Sequence, residues 1–184
     1  IKDPRSLPHL LKALTTDEDP VVQGSSAAAM AVFGEEAVEM LLQVFNNDES
    51  TSMQCGLASW GIAFIGAKAP KAIIKAASSP NPKARAAAIG ALGDQIYKFG
   101  DQVARNIVLK ALNDPSEDVR SEATILIGKL NEKRWGEPFL ISKLNDSSQE
   151  VTKNAALALM KIKAVESIPN LKKKQSEEKD LKLL

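Results

Sequence analysis

The sequence is short of cysteine, histidine and aromatic residues: of its 184 residues one is Cys, one is His and 4% are Phe, Trp or Tyr. A single cysteine, Cys55, excludes an internal disulfide and suits a reducing compartment. A single histidine, His9, leaves no His/Cys/Asp/Glu cluster at metal-ligating spacing and no classical base close in sequence to Cys55, so a thiolate nucleophile is not expected. No apolar run approaches the ~18 residues of a membrane span. Period-two alternation is missing, as are a glycine-rich phosphate loop, a GxSxG elbow and a zinc pattern. Charge of one sign is missing too: 24 Lys and Arg oppose 23 Asp and Glu, and a net +1 gives no field to draw the chain onto nucleic acid or an anionic membrane. The imbalance is local, with seven Lys against four acids in residues 161–184, which leaves the rest at −2. No signal peptide is visible; the chain opens on Ile1, and the expectation is a piece of something longer in the cytoplasm or a plastid stroma.

What is abundant is alanine, in a pattern that repeats. Aligned on a recurring pair, the copies are "VQGSSAAAMA" from Val22, "MQCGLASWGI" from Met53, "ARAAAIGALG" from Ala84, "VRSEATILIG" from Val119 and "VTKNAALALM" from Val151. The second residues of the pair, Gln23, Gln54, Arg85, Arg120 and Thr152, are spaced 31, 31, 35 and 32 apart. A period of this length signals a solenoid. Each copy follows a turn rich in Asp, Asn, Pro or Ser, such as Asp17-Glu18-Asp19-Pro20 or Ser79-Pro80-Asn81-Pro82, which suits helix caps. Before each turn sits an apolar pentad: "LLKAL" from Leu10, "LLQVF" from Leu41, "IIKAA" from Ile73, "VLKAL" from Val108 and "LISKL" from Leu140. The unit is therefore two helices, the first with small residues at helical spacing and the second with the pentad. Neither buries its stripe alone, so neighbours must stack. The expected architecture is all-α: a right-handed superhelix of stacked hairpins in one domain over 1–184. It comprises about five repeats, a leading half-repeat and a lysine-rich cap or tail over 172–184.

These copies resemble HEAT repeats, in particular the HEAT-like type named for phycobilin lyases. The clearest match is "LKALNDPSEDVRSEATILIGKL", residues 109–130, against L-x-x-L-x-D-x-x-x-x-V-R-x-x-A-x-x-x-L-G; "DPRSLPHLLKALTTDEDPVV", residues 3–22, is similar. "GLASWGIAFIG", residues 56–66, resembles the cyanobacterial members. The resemblance implies that Arg85 and Arg120 pair with an Asp of a neighbouring repeat, in a structural ladder that includes Asp114. Gln23, Gln54 and Thr152 replace that Arg, and the ladder is expected to break there. It also implies that the second helices line a concave surface. Lys12, Lys75 and Lys110 occupy the middle pentad position, with Gln43 and Ser142, and Lys71, Arg105 and Lys143 lie near the same face. They form a candidate basic strip for an acidic partner, interrupted by Glu36 and Glu39. Trp60, among small residues, is expected in the core and Cys55 buried. Trp135 is a candidate binding anchor. "DQIYKFGDQ", residues 94–102, accounts for the 35-residue spacing and is expected as an inter-helix loop presenting Tyr97 and Phe99.

The resemblance implies three functions, since fold does not fix function. The first expectation is a non-enzymatic scaffold or adaptor for protein partners, without metal, cofactor or catalytic residues, in phycobilisome or photosynthetic-complex assembly or turnover. The alternative is a bilin lyase or lyase subunit, holding a linear tetrapyrrole while a phycobiliprotein's Cys thiolate adds to it. DNA-lesion binding is disfavoured by the net +1 and the interrupted lysines. A HEAT-like iron hydroxylase needs several His-Glu pairs and fails on one histidine.

Overall fold

A computed structural model describes residues 3–181, with side chains through residue 176. Among the described residues all regular structure is helical. In chain order the α-helices are α1 Leu7–Thr16, α2 Pro20–Ala31, α3 Glu35–Asn46, α4 Ser52–Ile65, α5 Pro70–Ala76, α6 Pro82–Ala91, α7 Gly93–Phe99, α8 Gln102–Ala111, α9 Glu117–Leu130, α10 Lys133–Lys143, α11 Gln149–Lys161 and α12 Ile168–Leu181. The expected lysine-rich end continues as α12, and its residues 182–184 lie outside the described residues.

The turn residues start the helices. Asp19 and Asn81, both followed by Pro at the first helical position, accept from the backbone N–H of Val21 and Lys83. Thr51 and Gln54 close a capping box on α4, and Ser148 accepts from the Val151 N–H. Each such cap stabilises its helix by about 1 kcal/mol.

The chain divides into two compact units, residues 1–107 and 108–184. In the first, α2, α4 and α6 pack side by side over a layer formed by α1, α3 and α5. Leu14, Met30, Leu41, Ile62, Ile65, Ile73 and Ile89 are fully buried between the layers. Each such aliphatic side chain contributes roughly 1.5–3 kcal/mol. In the second unit α9 and α11 lie side by side, and α10 packs on both. Ile127, Leu140, Val151, Ala155 and Leu159 fill that core. The α9–α11 approach is set by Gly128, where an added Cβ would stand 2.6 Å from the Ala158 Cβ.

The 94–102 segment corrects its expectation: Gly93–Phe99 is a short helix rather than a loop. Ile96 anchors it in the core, and Gly100, in the left-handed region at φ 62°, ends it. Asp101 then caps α8, accepting from the N–H groups of Val103 and Ala104.

Candidate functional site

Four of the five residues that mark the repeat, all but Gln54, share one local bond. Arg120 Nη1 donates to the carbonyl of Asp114, six residues back, at 3.0 Å, and to that of Pro115. Arg85 Nη1 donates likewise to the Ser79 and Pro80 carbonyls. Gln23 Nε2 reaches the Asp17 carbonyl at 2.7 Å, and Thr152 Oγ1 reaches that of Asp146 at 3.4 Å. Where Gln23, Gln54 and Thr152 stand in place of Arg, the side chain bonds a backbone carbonyl and not an Asp of a neighbouring repeat, so the ladder is interrupted there as expected, while Gln23 and Thr152 keep the bond to their own turn. Gln54 goes further, its Nε2 donating to the Thr15 carbonyl of the preceding repeat at 3.0 Å while its Oε1 accepts from the Thr51 N–H. Asn81 Nδ2 likewise donates to the Phe45 carbonyl. Both satisfy carbonyls left over at a helix C-terminus.

The charged half survives at Arg120. Its Nε and Nη2 grip both oxygens of Asp146 in the next repeat, at 2.8 to 3.2 Å, with the two side chains 12% and 5% exposed. Burial alone would raise the Asp146 carboxyl. The hydrogen bonds from Arg120, from the Ser148 N–H and from Lys143 outweigh it and bring the pKa to about 2. Asp114 accepts from the Ser116 N–H. These groups hold turns in register, and their charges are occupied.

The second-helix cations fare differently from one another. Lys12 and Lys71 are exposed on α1 and α5. Lys75 is held by Glu39 of α3, Nζ to Oε1 2.6 Å, and that contact keeps the carboxyl below and the ammonium above their ordinary ranges. Arg105 is half-buried, and Lys110 is exposed on α8. Lys143 is a correction: it lies against Asp146 at 3.3 Å and donates to Asn113, so it belongs to the ladder rather than to an open strip.

The aromatics also correct their expectations. Trp60 is 48% exposed, its ring 5.6 Å from Phe64, with Lys68 Nζ over the Phe64 ring at 4.6 Å. Cys55, on the same helix, is half-buried rather than buried. Trp135 is half-buried and tilted against Phe139. Tyr97 and Phe99 are both more than 70% exposed on α7.

Six residues that the sequence did not single out gather in the second unit. A cleft of about 460 Å³ is lined by Lys133, Arg134, Glu137, Pro138 and Ile141 of α10 and by Glu166 of the short 3-10 segment Val165–Ser167. Glu137 is 7% exposed, and its Oε1 has no hydrogen-bond partner among the described residues. A polar atom buried in that way costs about 1–3 kcal/mol. Lys133 and Arg134 stand in the first turn of α10 directly after its acidic N-cap Glu132, and no pattern in the sequence singles them out, since α6 also opens on two cations, Lys83 and Arg85. Among the described residues, no group of three or more potential ligands gathers around a metal position, and no helix is long and apolar enough to cross a membrane.

Comparison with known proteins fits this architecture. The family model described as HEAT repeats matches residues 38–127 and 105–182. The bilin biosynthesis protein MpeU of Synechococcus sp. (strain WH8020) is 43% identical over 146 residues, which are 79% of this chain and 49% of that protein. The chain thus spans about half the length of that curated relative. Among solved structures, one of microtubule plus-end tracking by XMAP215, CLIP-170 and EB1 shares the fold at a TM-score of 0.56 and 16% identity, over 86% of this chain and 74% of that one. A designed armadillo repeat protein in complex with a (KR)4 peptide shares it at 0.51 and 20%, over 91% and 90%. With helical pairs at the repeat period, the ladder at Arg120 and Asp146, and these matches, the chain belongs to the HEAT-repeat family, with repeats of the phycobilin-lyase type.

Proposed function

We propose that this chain is the repeat module of a bilin lyase or lyase subunit, which holds a linear tetrapyrrole while a cysteine thiolate of a phycobiliprotein adds to it. The observation that carries the reading is the 43% identity to a bilin biosynthesis protein over 79% of the chain. It moves the bilin alternative ahead of the plain scaffold that the sequence favoured. The addition forms a C–S bond and breaks the π bond of an exocyclic carbon–carbon double bond, and the displaced electron pair takes up the thiol's proton. No oxidant, reductant or metal is required. The module's work is to keep the tetrapyrrole from water and present that bond to the partner's thiolate. Stacked helical repeats suit the task, because each unit packs its helices into a surface without a ligand.

The test is attachment. The chain is mixed with phycocyanobilin and a cysteine-bearing apo-phycobiliprotein, and covalent bilin is read by zinc fluorescence after denaturing electrophoresis. A second set adds the remaining half of the lyase. Faster or more selective attachment with the chain present is the expected result. Equal attachment without it in both sets would leave only the scaffold.

A further inference from the structure

We propose that the α10 cleft is the subsite that grips the tetrapyrrole, with Lys133 and Arg134 taking a propionate carboxylate and Glu137 accepting from the pyrrole N–H groups. The inference rests on the bilin reading for its ligand, but the cleft states the required chemistry by itself. Lys133 and Arg134 stand in the first turn of α10, where free backbone N–H groups and the helix dipole already favour an anion. Neither is held in an ion pair among the described residues, in contrast to Lys75, Lys98 and Lys143. One turn on, about 6 Å along the axis, stands the buried Glu137, its Oε1 unpartnered. Pro138 and Ile141 continue the same wall as apolar surface, and Glu166 also lines the cleft. Read from the helix start, the cleft offers cations, then an acceptor, then an apolar floor. A simple anion would use the first and leave the second unpaired. An apolar ligand would strand both. A flat apolar skeleton with acid side arms and N–H donors uses all three, and a linear tetrapyrrole is such a molecule. The volume of about 460 Å³ lies in the range of small-molecule sites.

The experiment titrates the full chain with biliverdin and with its dimethyl ester, following visible absorbance and induced circular dichroism. In the Lys133→Ala/Arg134→Ala double variant, biliverdin is expected to bind about tenfold or more weakly, while the ester, which lacks the carboxylates, binds as it does to the unaltered chain. Glu137→Leu is expected to weaken acid and ester alike, about tenfold. Its melting temperature should rise by a few degrees, because an unpaired buried carboxyl is replaced by an apolar group. A variant that merely misfolds melts lower, not higher. Unchanged acid binding in the double variant would overturn the cleft and leave the bilin reading standing elsewhere on the chain. An unaltered chain that binds neither compound would overturn both.

Discussion

Removing the charge of Asp146, as Asp146→Asn, tests the ladder by a change in pH as well as in sequence. Arg120, the Ser148 N–H and Lys143 hold the carboxyl at about 2 against an ordinary 3.8. At about 1.36 kcal/mol per pH unit, the native state gains about 2 kcal/mol from keeping this carboxylate ionised. The sign follows from the lowered native value. The gain is complete above the ordinary carboxylate pKa and disappears as pH falls through about 4 towards 2. Asparagine keeps the volume and one acceptor, and Arg120 retains its bonds to the Asp114 and Pro115 carbonyls, so the variant folds. Urea unfolding by far-ultraviolet circular dichroism, run on both proteins from about pH 7 to about pH 2, isolates the term. Every other carboxylate contributes equally to the two curves and cancels in their difference. The stability gap is expected at about 2 kcal/mol near neutrality, closing towards zero at the acid end. A gap that stays constant with pH would refute the ion pair as its source and assign the loss to packing.

Other perturbations address the remaining contacts. Gly128→Ala puts a Cβ 2.6 Å from the Ala158 Cβ and 3.1 Å from its Cα, and is expected to destabilise by about 1–3 kcal/mol in thermal melts. Ala158→Gly in the same chain should recover most of that loss, and a double variant no more stable than Gly128→Ala would show that the helices do not meet there. Gln54→Ala removes the capping box and the bond to the Thr15 carbonyl together, and should cost about 2 kcal/mol in urea unfolding. Exposed Gln43→Ala, which touches neither, is the control and should stay within about 0.5 kcal/mol. Trp60→Ala should cost about 1 kcal/mol, the scale of its stacking on Phe64. A loss of 3–5 kcal/mol, the scale of a buried tryptophan, would return Trp60 to the core.

Much of the fold was legible because turn residues that announce three of the repeats also start their helices. Asp19, Asn81 and Ser148 cap in three dimensions the helices they foretell in sequence. The recurring 31- to 35-residue period likewise has a direct physical counterpart, the bond from position 23, 85, 120 or 152 to the turn carbonyl six residues back. Trp60 was misread because α4 is apolar all round. Ala58, Gly61, Ile62 and Ile65 are buried, while Trp60 and Phe64, one turn apart, face outward, so periodicity alone could not choose the buried side. Lys143, one residue past the middle pentad position held by Ser142, was grouped with the exposed lysines because the pentad is a local pattern, whereas its bond to Asn113 reaches the preceding repeat. Glu137 was invisible for a related reason. An acid in a polar helix reads as solvated, and part of the cleft around it comes from Glu166, nearly thirty residues further on.

The two polar regions of the second unit invite contrary conclusions from the same physics. At the repeat turns, charged and amide groups are buried with their partners supplied: Arg120 uses Nε, Nη1 and Nη2, and Asp146 both of its oxygens. Such a network rigidifies the stack, and it has little left to offer a ligand. In the α10 cleft two cations follow the Glu132 N-cap, and a buried carboxyl oxygen has no donor among the described residues. A sequence selected for stability alone would place an apolar residue at position 137. There the carboxyl without a donor stands one turn from Lys133 and Arg134, and a ligand that carries both an acid and an N–H donor would satisfy the two together.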